Sequence, residues 1–196
     1  MTARTGQIER MTKETQIKVE MNIDGEGNSN IETGVPFFDH MLDAFTKHGH
    51  FDLTVDAKGD THIDDHHTTE DVGICLGRVF REALGDKKGM KRYGHAFVPM
   101  DDALAQAVVD ISNRPYFVGN FTLPKDKVGT FDTELVHEFL SKFTVEARIN
   151  LHVIVHHGEN THHIIEAIFK AVARALDEAT MKDDRVKGVP STKGLL

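Results

Sequence analysis

The chain repeats one pattern twice, and this duplication limits what it can fold into. The pentad His-His-x-x-Glu occurs at residues 66–70 and again 96 residues later at 162–166, each time opening a stretch with helical periodicity. Before each pentad apolar and polar residues alternate, over 51–57 and 149–155, which is typical of a half-buried strand. We therefore expect two similar halves related by a pseudo-twofold axis.

Further strands and helices are predicted at matching places in the two halves: strands over 17–23 and 103–111, and helices over roughly 36–48 and 133–147. These elements predict an α+β fold with a two-fold internal duplication of a β-β-α-β-α unit. The predicted repeats are residues 1–94 and 95–196, in one integrated enzyme unit. The terminal segments 1–8 and 186–196 are expected to be loosely held.

Composition excludes several classes of protein. A net charge of −8 and a pI of 5.9 argue against a nucleic-acid partner, which requires a basic face. The single Cys75 excludes an internal disulfide, fits a reducing compartment, and lies in an apolar helical run where a buried thiol is expected. Without a signal peptide or an apolar run near 18 residues, we expect a cytoplasmic protein with no membrane contact.

The pentads have the residue types and the spacing of metal ligands. Histidine and glutamate bind divalent metals in soluble enzymes. On a helix His66 and Glu70 lie on one face, whereas His67 points about 100° around the axis, so adjacent histidines are expected to face different metals. The second pentad repeats this geometry, and each half offers one more histidine about 25 residues upstream of its pentad: His40 and His137.

Eight motifs occur in order and carry a resemblance to a known family: Arg10-Met-Thr-Lys-Glu14-Thr, Gly34-Val-Pro-Phe-Phe-Asp-His40-Met-Leu, Asp64-Asp-His-His-Thr-Thr-Glu-Asp71, Arg92-Tyr-Gly, Pro99-Met-Asp-Asp, Asp110-Ile-Ser-Asn-Arg114-Pro, Asn160-Thr-His-His-Ile-Ile-Glu-Ala167 and Pro190-Ser-Thr-Lys-Gly194. From about residue 9 to its end, the chain resembles the imidazoleglycerol-phosphate dehydratases of histidine biosynthesis. The resemblance implies a hydro-lyase that converts imidazole glycerol phosphate to imidazole acetol phosphate. It also implies two Mn²⁺ ions per active site, a homo-oligomer of 24 chains built from trimers, and a fold resembling a duplicated ribosomal protein S5 domain 2.

Helical geometry and the family pattern together give two ligand sets, one for each metal. The first set is His40, His67, His162 and Glu166, and the second is His66, Glu70, His137 and His163. Ligand type alone favours zinc, iron or nickel, so manganese rests on the resemblance.

The substrate's imidazole explains why two metals are needed. The proton to be removed lies on a carbon with no carbonyl beside it. If both ring nitrogens meet metal ions, the ring can lose its N–H proton, because a bound cation lowers the pKa of what it coordinates. The imidazolate can then expel the neighbouring hydroxyl and leave a diazafulvene. This acidifies the next C–H, a base removes its proton, and the enol relaxes to the ketone.

The remaining site residues are assigned on the family pattern. Glu14 matches the N-terminal catalytic glutamate and is assigned as general acid and base. Asp102 stands at the corresponding place in the second half and is a second candidate, whereas Asp71 is expected to support a ligand or cap a helix. The substrate and its phosphate are assigned to His48, in a loop near the substrate, and to Arg92, Arg114, Lys170, Ser191, Thr192 and Lys193. Lys170 shares a helix face with Glu166, although a partly solvated lysine remains an alternative.

Two other functions fit the same histidines. A di-metal hydrolase would hold its ions about 3.5–4 Å apart, whereas adjacent histidines that point in different directions favour two metals separated by an imidazole ring. A non-enzymatic metal-binding assembly protein would not require Glu14, the two arginines and the C-terminal motif together. The sequence leaves open which subunits supply each ligand and which acid protonates the leaving hydroxyl.

Overall fold

The computed structural model describes residues 3–194 and 196. Within these residues the first half forms β1 (Thr5–Met11), β2 (Thr15–Asn22), β3 (Ser29–Glu32), α1 (Pro36–Gly49), β4 (Asp52–Gly59) and α2 (His66–Leu84). The second half forms β5 (Tyr93–Met100), β6 (Ala103–Asp110), β7 (Tyr116–Asn120), the short pair β8 (Lys127–Val128) and β9 (Phe131–Asp132), then α3 (Leu135–Ala147), β10 (Asn150–His157) and α4 (Thr161–Thr180).

The two halves have the same sheet topology. The strand orders are β1-β2-β4-β3 and β5-β6-β10-β7, and in each sheet only the last pair is parallel. The predicted α+β fold with a duplicated β-β-α-β-α unit is confirmed, and each four-stranded sheet contains one additional short strand, β3 or β7. The second half also adds the pair β8 and β9. Because β1 begins at Thr5, the expectation of a loose segment is wrong for residues 5–8, while residues 1 and 2 lie outside the described residues. The division of the chain after residue 94 stays a prediction.

The helices lie between the two sheets. α2 packs on β1 and β2, and α4 packs on β5 and β6, while α1 contacts α4 and α3 contacts α2. Each helix pair therefore joins one half to the other. Phenylalanines fill the space between the helices: Phe139 meets Phe38 edge-on at 5.1 Å between ring centroids and stacks on Phe169 at 5.4 Å. This shared core makes the two halves one folding unit.

α2 and α3 approach closely because glycines face the contact. A Cβ at Gly77 would lie 2.6 Å from the carbonyl oxygen of Phe143, and one at Gly73 would lie 3.0 Å from that of Phe139. Larger side chains at these positions would push the helices apart. The close packing places the start of α2, with the first pentad, beside the helix that carries His137.

The structure also describes the environment of the single cysteine and the apolar character of the helices. Cys75 is fully buried on α2, as predicted, and burial raises the pKa of its thiol to about 11. No helix in the described part of the chain is both long and apolar enough to cross a lipid bilayer.

Candidate active site

His40, His162 and Glu166 form a convergent group of metal-ligand side chains. His40 lies on α1, and the other two lie one turn apart at the start of α4, which packs against α1. The Nε2 atoms of His40 and His162 lie 3.3 and 3.2 Å from the same carboxylate oxygen, Oε2 of Glu166. Three potential ligand atoms lie within 4.8 Å of one another. Imidazole and carboxylate donors that converge in this way fit a divalent metal ion.

Lys170 holds the other oxygen of this carboxylate. Its Nζ lies 2.5 Å from Oε1 of Glu166, and the two side chains are only 16% and 9% exposed. Burial acts to raise the pKa of Glu166, but the hydrogen bond and charge of Lys170, with smaller contributions from His162 and His40, lower it overall. Glu166 is therefore kept ionised, with one oxygen directed at the histidines.

The equivalent side chains in the first half do not converge. His66 and Glu70 stand at the start of α2, and His137 stands on the facing α3. Glu70 instead bonds Lys142 on α3 at 2.8 Å, and this contact lowers the pKa of Glu70. His137 packs edge-on against Phe117 with ring centroids 5.0 Å apart. Among the residues that the structure describes, only His40, His162 and Glu166 converge, so the second ligand set stays a prediction.

His67 and His163 lie apart from these groups, and each contacts a carboxylate through Nδ1. His67 Nδ1 lies 3.0 Å from Asp60, whose hydrogen bond is the largest contribution that raises the pKa of His67. His163 Nδ1 lies 2.5 Å from Asp102. The structure thus brings three of the four ligands in the first predicted set together within one chain and leaves His67 outside that group.

A braced turn between β1 and β2 presents Glu14. The hydroxyl of Thr12 accepts hydrogen bonds from the backbone N–H groups of Glu14 and Thr15, at 3.1 and 2.9 Å. Behind the turn, buried Asp71 accepts bonds from Thr15 and Arg10. Asp71 therefore supports the turn that carries Glu14, and the expectation that it supports a metal ligand or caps a helix stays a prediction. Glu14 itself points outward, with its side chain 55% exposed and Oε1 4.0 Å from Nε2 of His67.

A second group of predicted residues lines a cavity of about 620 Å³ at the C-terminal segment. The cavity is bounded by Arg92, Tyr93, Arg114, Pro190, Ser191, Thr192 and Lys193. Arg92 anchors it by donating to the carbonyl oxygen of Pro190 at 2.8 Å and to Asp110 at 2.6 and 3.1 Å. Arg114 is 67% exposed, and Lys193 is also exposed. Two exposed cations beside hydroxyl groups and a guanidinium suit an anion such as phosphate.

The two other predicted substrate residues lie elsewhere. Lys170 stands beside Glu166, as described above, and His48 lies near Lys170. His48 belongs to the last turn of α1, so the expectation that it lies in a loop is wrong; the helix continues to Gly49 before His50 ends it in a left-handed conformation. Burial, and then the charge of Lys170, lower the pKa of His48.

A larger cavity, of about 700 Å³, lies on the outer face of the first sheet. It is lined by residues of β1, β2, β3 and β4 with their flanking positions and by Glu82. None of the predicted site residues, all of which lie in the described part of the chain, lines this cavity.

Some functional contacts were not expected from the sequence. Lys142 pairs with Glu70, Asp110 pairs with Arg92, and Phe37 meets the His162 ring edge-on at 5.1 Å. The spacing Glu138 to Lys142 is an i, i+4 pair that could have indicated a cation on this face of α3. No local signal links Asp60 to His67, because their contact depends on where β4 ends relative to α2.

Comparison with known proteins gives a consistent result. The family model described as imidazoleglycerol-phosphate dehydratase matches residues 33–176. The imidazoleglycerol-phosphate dehydratase of Halalkalibacterium halodurans is 72% identical over 193 residues, which cover 98% of this chain and 100% of that protein. The enzyme of the same name from Bacillus subtilis is 68% identical over 187 residues, covering 95% of this chain and 96% of that protein.

Solved structures agree with these relatives. The crystal structure of imidazoleglycerol-phosphate dehydratase from Staphylococcus aureus has a TM-score of 0.84 and 46% sequence identity, covering 91% of this chain and 99% of that one. The enzyme of the same name from Pyrococcus furiosus has a TM-score of 0.83 and 39% identity, covering 96% of this chain and 100% of that one.

Proposed function

The chain belongs to the imidazoleglycerol-phosphate dehydratase family, and we propose that it dehydrates imidazole glycerol phosphate to imidazole acetol phosphate in histidine biosynthesis. The observation that carries the proposal is the convergence of His40, His162 and Glu166 in a chain with near full-length similarity to enzymes of that name. A cationic cavity for the substrate's phosphate supports it.

We propose two Mn²⁺ ions per active site, held by the two ligand sets assigned from the sequence. The convergent imidazole and carboxylate donors fit a divalent ion, and the choice of manganese rests on the family resemblance. Bound there, the ions would supply Lewis-acid chemistry, lowering the pKa of the N–H group of the substrate's imidazole. Lys170 keeps Glu166 ionised, and an ionised carboxylate is the form that binds a metal ion.

Glu14 is the proposed acid and base. Its carboxylate is exposed at the end of a braced turn, and no hydrogen bond within the described residues occupies it. It lies beside His67, a proposed metal ligand, so it would face the reacting carbons once the substrate's ring is held there. From this position Glu14 would take the proton from the substrate's C–H group next to the carbon that loses its hydroxyl.

The phosphate would bind in the cavity at the C-terminal segment. Asp110 already neutralises much of the charge of Arg92, so Arg114 and Lys193 would supply most of the attraction. Ser191 and Thr192 would add hydroxyl donors. Because this short segment is exposed, binding of the phosphate would draw it over the substrate and exclude water from a reactive intermediate.

The histidine cluster and the phosphate cavity lie near opposite ends of α4. The N–H of Arg92 bonds the carbonyl of Ala179 near the end of α4, whereas His162 stands at its start; these ends are about 26 Å apart at 1.5 Å per residue. The substrate's three carbons and phosphate, with about 1.5 Å per bond, span less than half of that distance. We therefore propose that the histidine cluster and the phosphate cavity of one active site come from different copies of the chain.

The outer faces of the two sheets differ in a way that favours self-association. The outer face of the first sheet carries charged residues such as Glu9, Lys18 and Asp56, as expected for a sheet in water. The equivalent face of the second sheet exposes Phe97, Val108 and Tyr116, at 55%, 38% and 65%. Exposed apolar patches of this kind mark protein–protein contacts. A 24-chain assembly of trimers, as the family resemblance implies, would cover this face.

Complementation between two inactive variants tests the shared site. Glu166→Gln should inactivate the metal cluster, and Arg114→Ala with Lys193→Ala should inactivate the phosphate cavity. Each variant alone should fail to dehydrate imidazole glycerol phosphate. If the two elements come from different copies, mixed and reassembled protein should recover part of the turnover. Mixtures that form mixed oligomers but stay inactive would show that one chain provides the whole site.

Metal removal tests the role of Mn²⁺, and a charged substitution on the second sheet tests self-association. Chelation should abolish turnover and Mn²⁺ should restore it, whereas full activity in metal-free protein would contradict the metal mechanism. Val108→Lys should lower the particle mass measured by light scattering. Glu20→Lys is the matched control, because Glu20 occupies the sixth position of β2 as Val108 does in β6. Equal effects of the two variants would show that the apolar face is not the contact.

A further inference from the structure

His67 and His163, the proposed metal ligands that lie apart from the other ligands, are held in the same way. Nδ1 of His67 lies 3.1 and 3.0 Å from the two carboxylate oxygens of Asp60, and Nδ1 of His163 lies 2.5 Å from Oδ1 of Asp102. Within the described residues, Nε2 of neither ring makes a hydrogen bond. The carboxylates nearest to Nε2 are Glu14, at 4.0 Å from His67, and Asp101, at 3.7 Å from His163. In each ring one nitrogen is held and the other is left open.

The two halves reach this arrangement from different places in the repeat. Asp60 directly follows β4, whereas Asp102 lies in the turn between β5 and β6. The turn that corresponds to the Asp102 turn, between β1 and β2, carries Glu14. The strand end that corresponds to Asp60, after β10, carries Gly158. Equivalent positions of the repeat therefore do not supply the two carboxylates, although both histidines are held through Nδ1.

Asp102 is held through its carboxylate, and Asp60 is held through its backbone. Oδ2 of Asp102 accepts the backbone N–H groups of Glu159 and Asn160, at 2.7 and 2.9 Å, immediately before α4. Asn160 in turn caps α4 by accepting from the backbone N–H of His162 and His163. The backbone N–H of Asp60 donates to the carbonyl oxygen of Glu14 at 3.1 Å, next to the braced turn. The carboxylate that holds His163 therefore cannot easily follow the ring if it rotates, and the residue that holds His67 has its backbone fixed beside the braced turn.

We propose that Asp60 and Asp102 are positioning residues that accept the Nδ1–H of His67 and His163 and thereby present Nε2 to a metal ion. This inference rests on the proposed function, in which these histidines are metal ligands. A proton held on Nδ1 fixes the tautomer with its lone pair on Nε2, and the carboxylate fixes the ring plane and raises the basicity of the ligand. Asp102 then acts through His163, because one of its oxygens holds the ring and the other holds the backbone before α4.

Manganese binding to the full chain tests the inference without relying on turnover. Free Mn²⁺ is measured by electron paramagnetic resonance as metal-free protein is titrated. Asp60→Asn should weaken one class of Mn²⁺ site by roughly 10–100-fold, the usual effect of losing such a carboxylate partner. Asp56→Asn is the matched control, since Asp56 lies on the adjoining β4 with an exposed side chain and is expected to bind as wild type.

A double-mutant cycle separates positioning from general damage. His67→Ala should weaken the same class of site, and adding Asp60→Asn to it should cause no further loss, because the carboxylate acts only through the ring. Asp102→Asn and His163→Ala should behave likewise at the other class of site, with the exposed Glu159→Gln as control.

The outcomes distinguish the positioning role of the aspartates from the assignment of the histidines as metal ligands. If His67→Ala weakens binding but Asp60→Asn does not, or if Asp60→Asn has its full effect in the His67→Ala background, the positioning role is wrong and the ligand assignment stands. If His67→Ala and His163→Ala both bind Mn²⁺ as wild type, the proposed ligand sets are wrong and the positioning role is overturned with them.

Discussion

Replacing Lys170 with methionine should strongly destabilise the metal-free protein. Lys170 Nζ lies 2.5 Å from Glu166 Oε1, and these side chains are 16% and 9% exposed. Removing one partner of a buried pair leaves an uncompensated charge and costs about 3–5 kcal/mol. His40 and His162 still contact the other oxygen of Glu166, so we expect the lower end of this range. Methionine has a similar length, so little packing is lost with the charge.

Thermal unfolding of chelator-treated protein measures this effect. For a chain of this length each kcal/mol lowers Tm by roughly 2–4 °C, so Lys170→Met should lower Tm by about 6–12 °C. Lys142→Met is the matched control, because Lys142 bonds Glu70, the equivalent glutamate of the first half, at 2.8 Å but is 35% exposed. A more exposed pair contributes only about 0–1 kcal/mol, so its Tm should fall by a few degrees at most.

Added Mn²⁺ should reduce the difference between Lys170→Met and wild type. A cation at the cluster would compensate the carboxylate charge that Lys170 otherwise balances, so the variant should gain more Tm from metal than wild type does. Equal Tm losses in Lys170→Met and Lys142→Met would refute the argument that burial makes the first pair important. A Tm difference that Mn²⁺ leaves unchanged would show that metal does not bind at Glu166.

Three further predictions concern turnover, substrate binding and pH. Glu14→Gln should keep Mn²⁺ content and Tm but lose turnover, because Glu14 lies outside both pentads; near wild-type kcat in a metal-loaded variant would remove it from the mechanism. Truncation after Val189, and Lys193→Ala to a smaller degree, should raise KM for imidazole glycerol phosphate while leaving Mn²⁺ binding intact, since both remove lining from the phosphate cavity; unchanged steady-state constants in both would contradict this. Arg78 on α2 bonds Glu146 on α3 and lowers the pKa of Glu146 from the ordinary 4.5. The ion pair therefore contributes its full stability above that value, and this contribution is lost as pH falls through the lowered pKa. Denaturant unfolding should show wild type more stable than Glu146→Gln at pH 7, with a difference that shrinks below pH 4.5. A difference that grows on acidification would show that the ionised Glu146 does not stabilise the fold.

Periodic patterns predicted most of the fold because long elements contain several repeats of their period. The helix predicted over 36–48 is α1 at Pro36–Gly49, and the strand predicted over 149–155 is β10 at Asn150–His157. The strands β3 and β7 were not predicted, because they have four and five residues and little alternation. Their place is set by parallel pairing with β4 and β10, which is a tertiary contact.

The candidate site shows the same division between local and tertiary information. The pairing of His162 with Glu166 follows from one turn of helix, and the structure adds His40 as the duplicated pattern suggested. The cation beside Glu70 could not be predicted in this way. Lys142 reaches it from α3 only because Gly73 and Gly77 let the two helices approach closely.

Each pentad glutamate nevertheless has a lysine partner, and the two lysines come from positions that are not equivalent in the repeat. Lys170 stands one turn after Glu166 on the same helix and binds its far oxygen, so the near oxygen stays directed at His40 and His162. In the first half Ile74 occupies the position of Lys170, and Lys142 comes from the facing helix instead. Because Glu70 is paired with Lys142 of α3, it would have to break or share this ion pair before it could bind a metal together with His66 and His137. The two ligand sets are therefore alike in sequence but differ in how far one chain assembles them. Three of the four ligands in the set with Glu166 already lie together, whereas Glu70 is paired with Lys142.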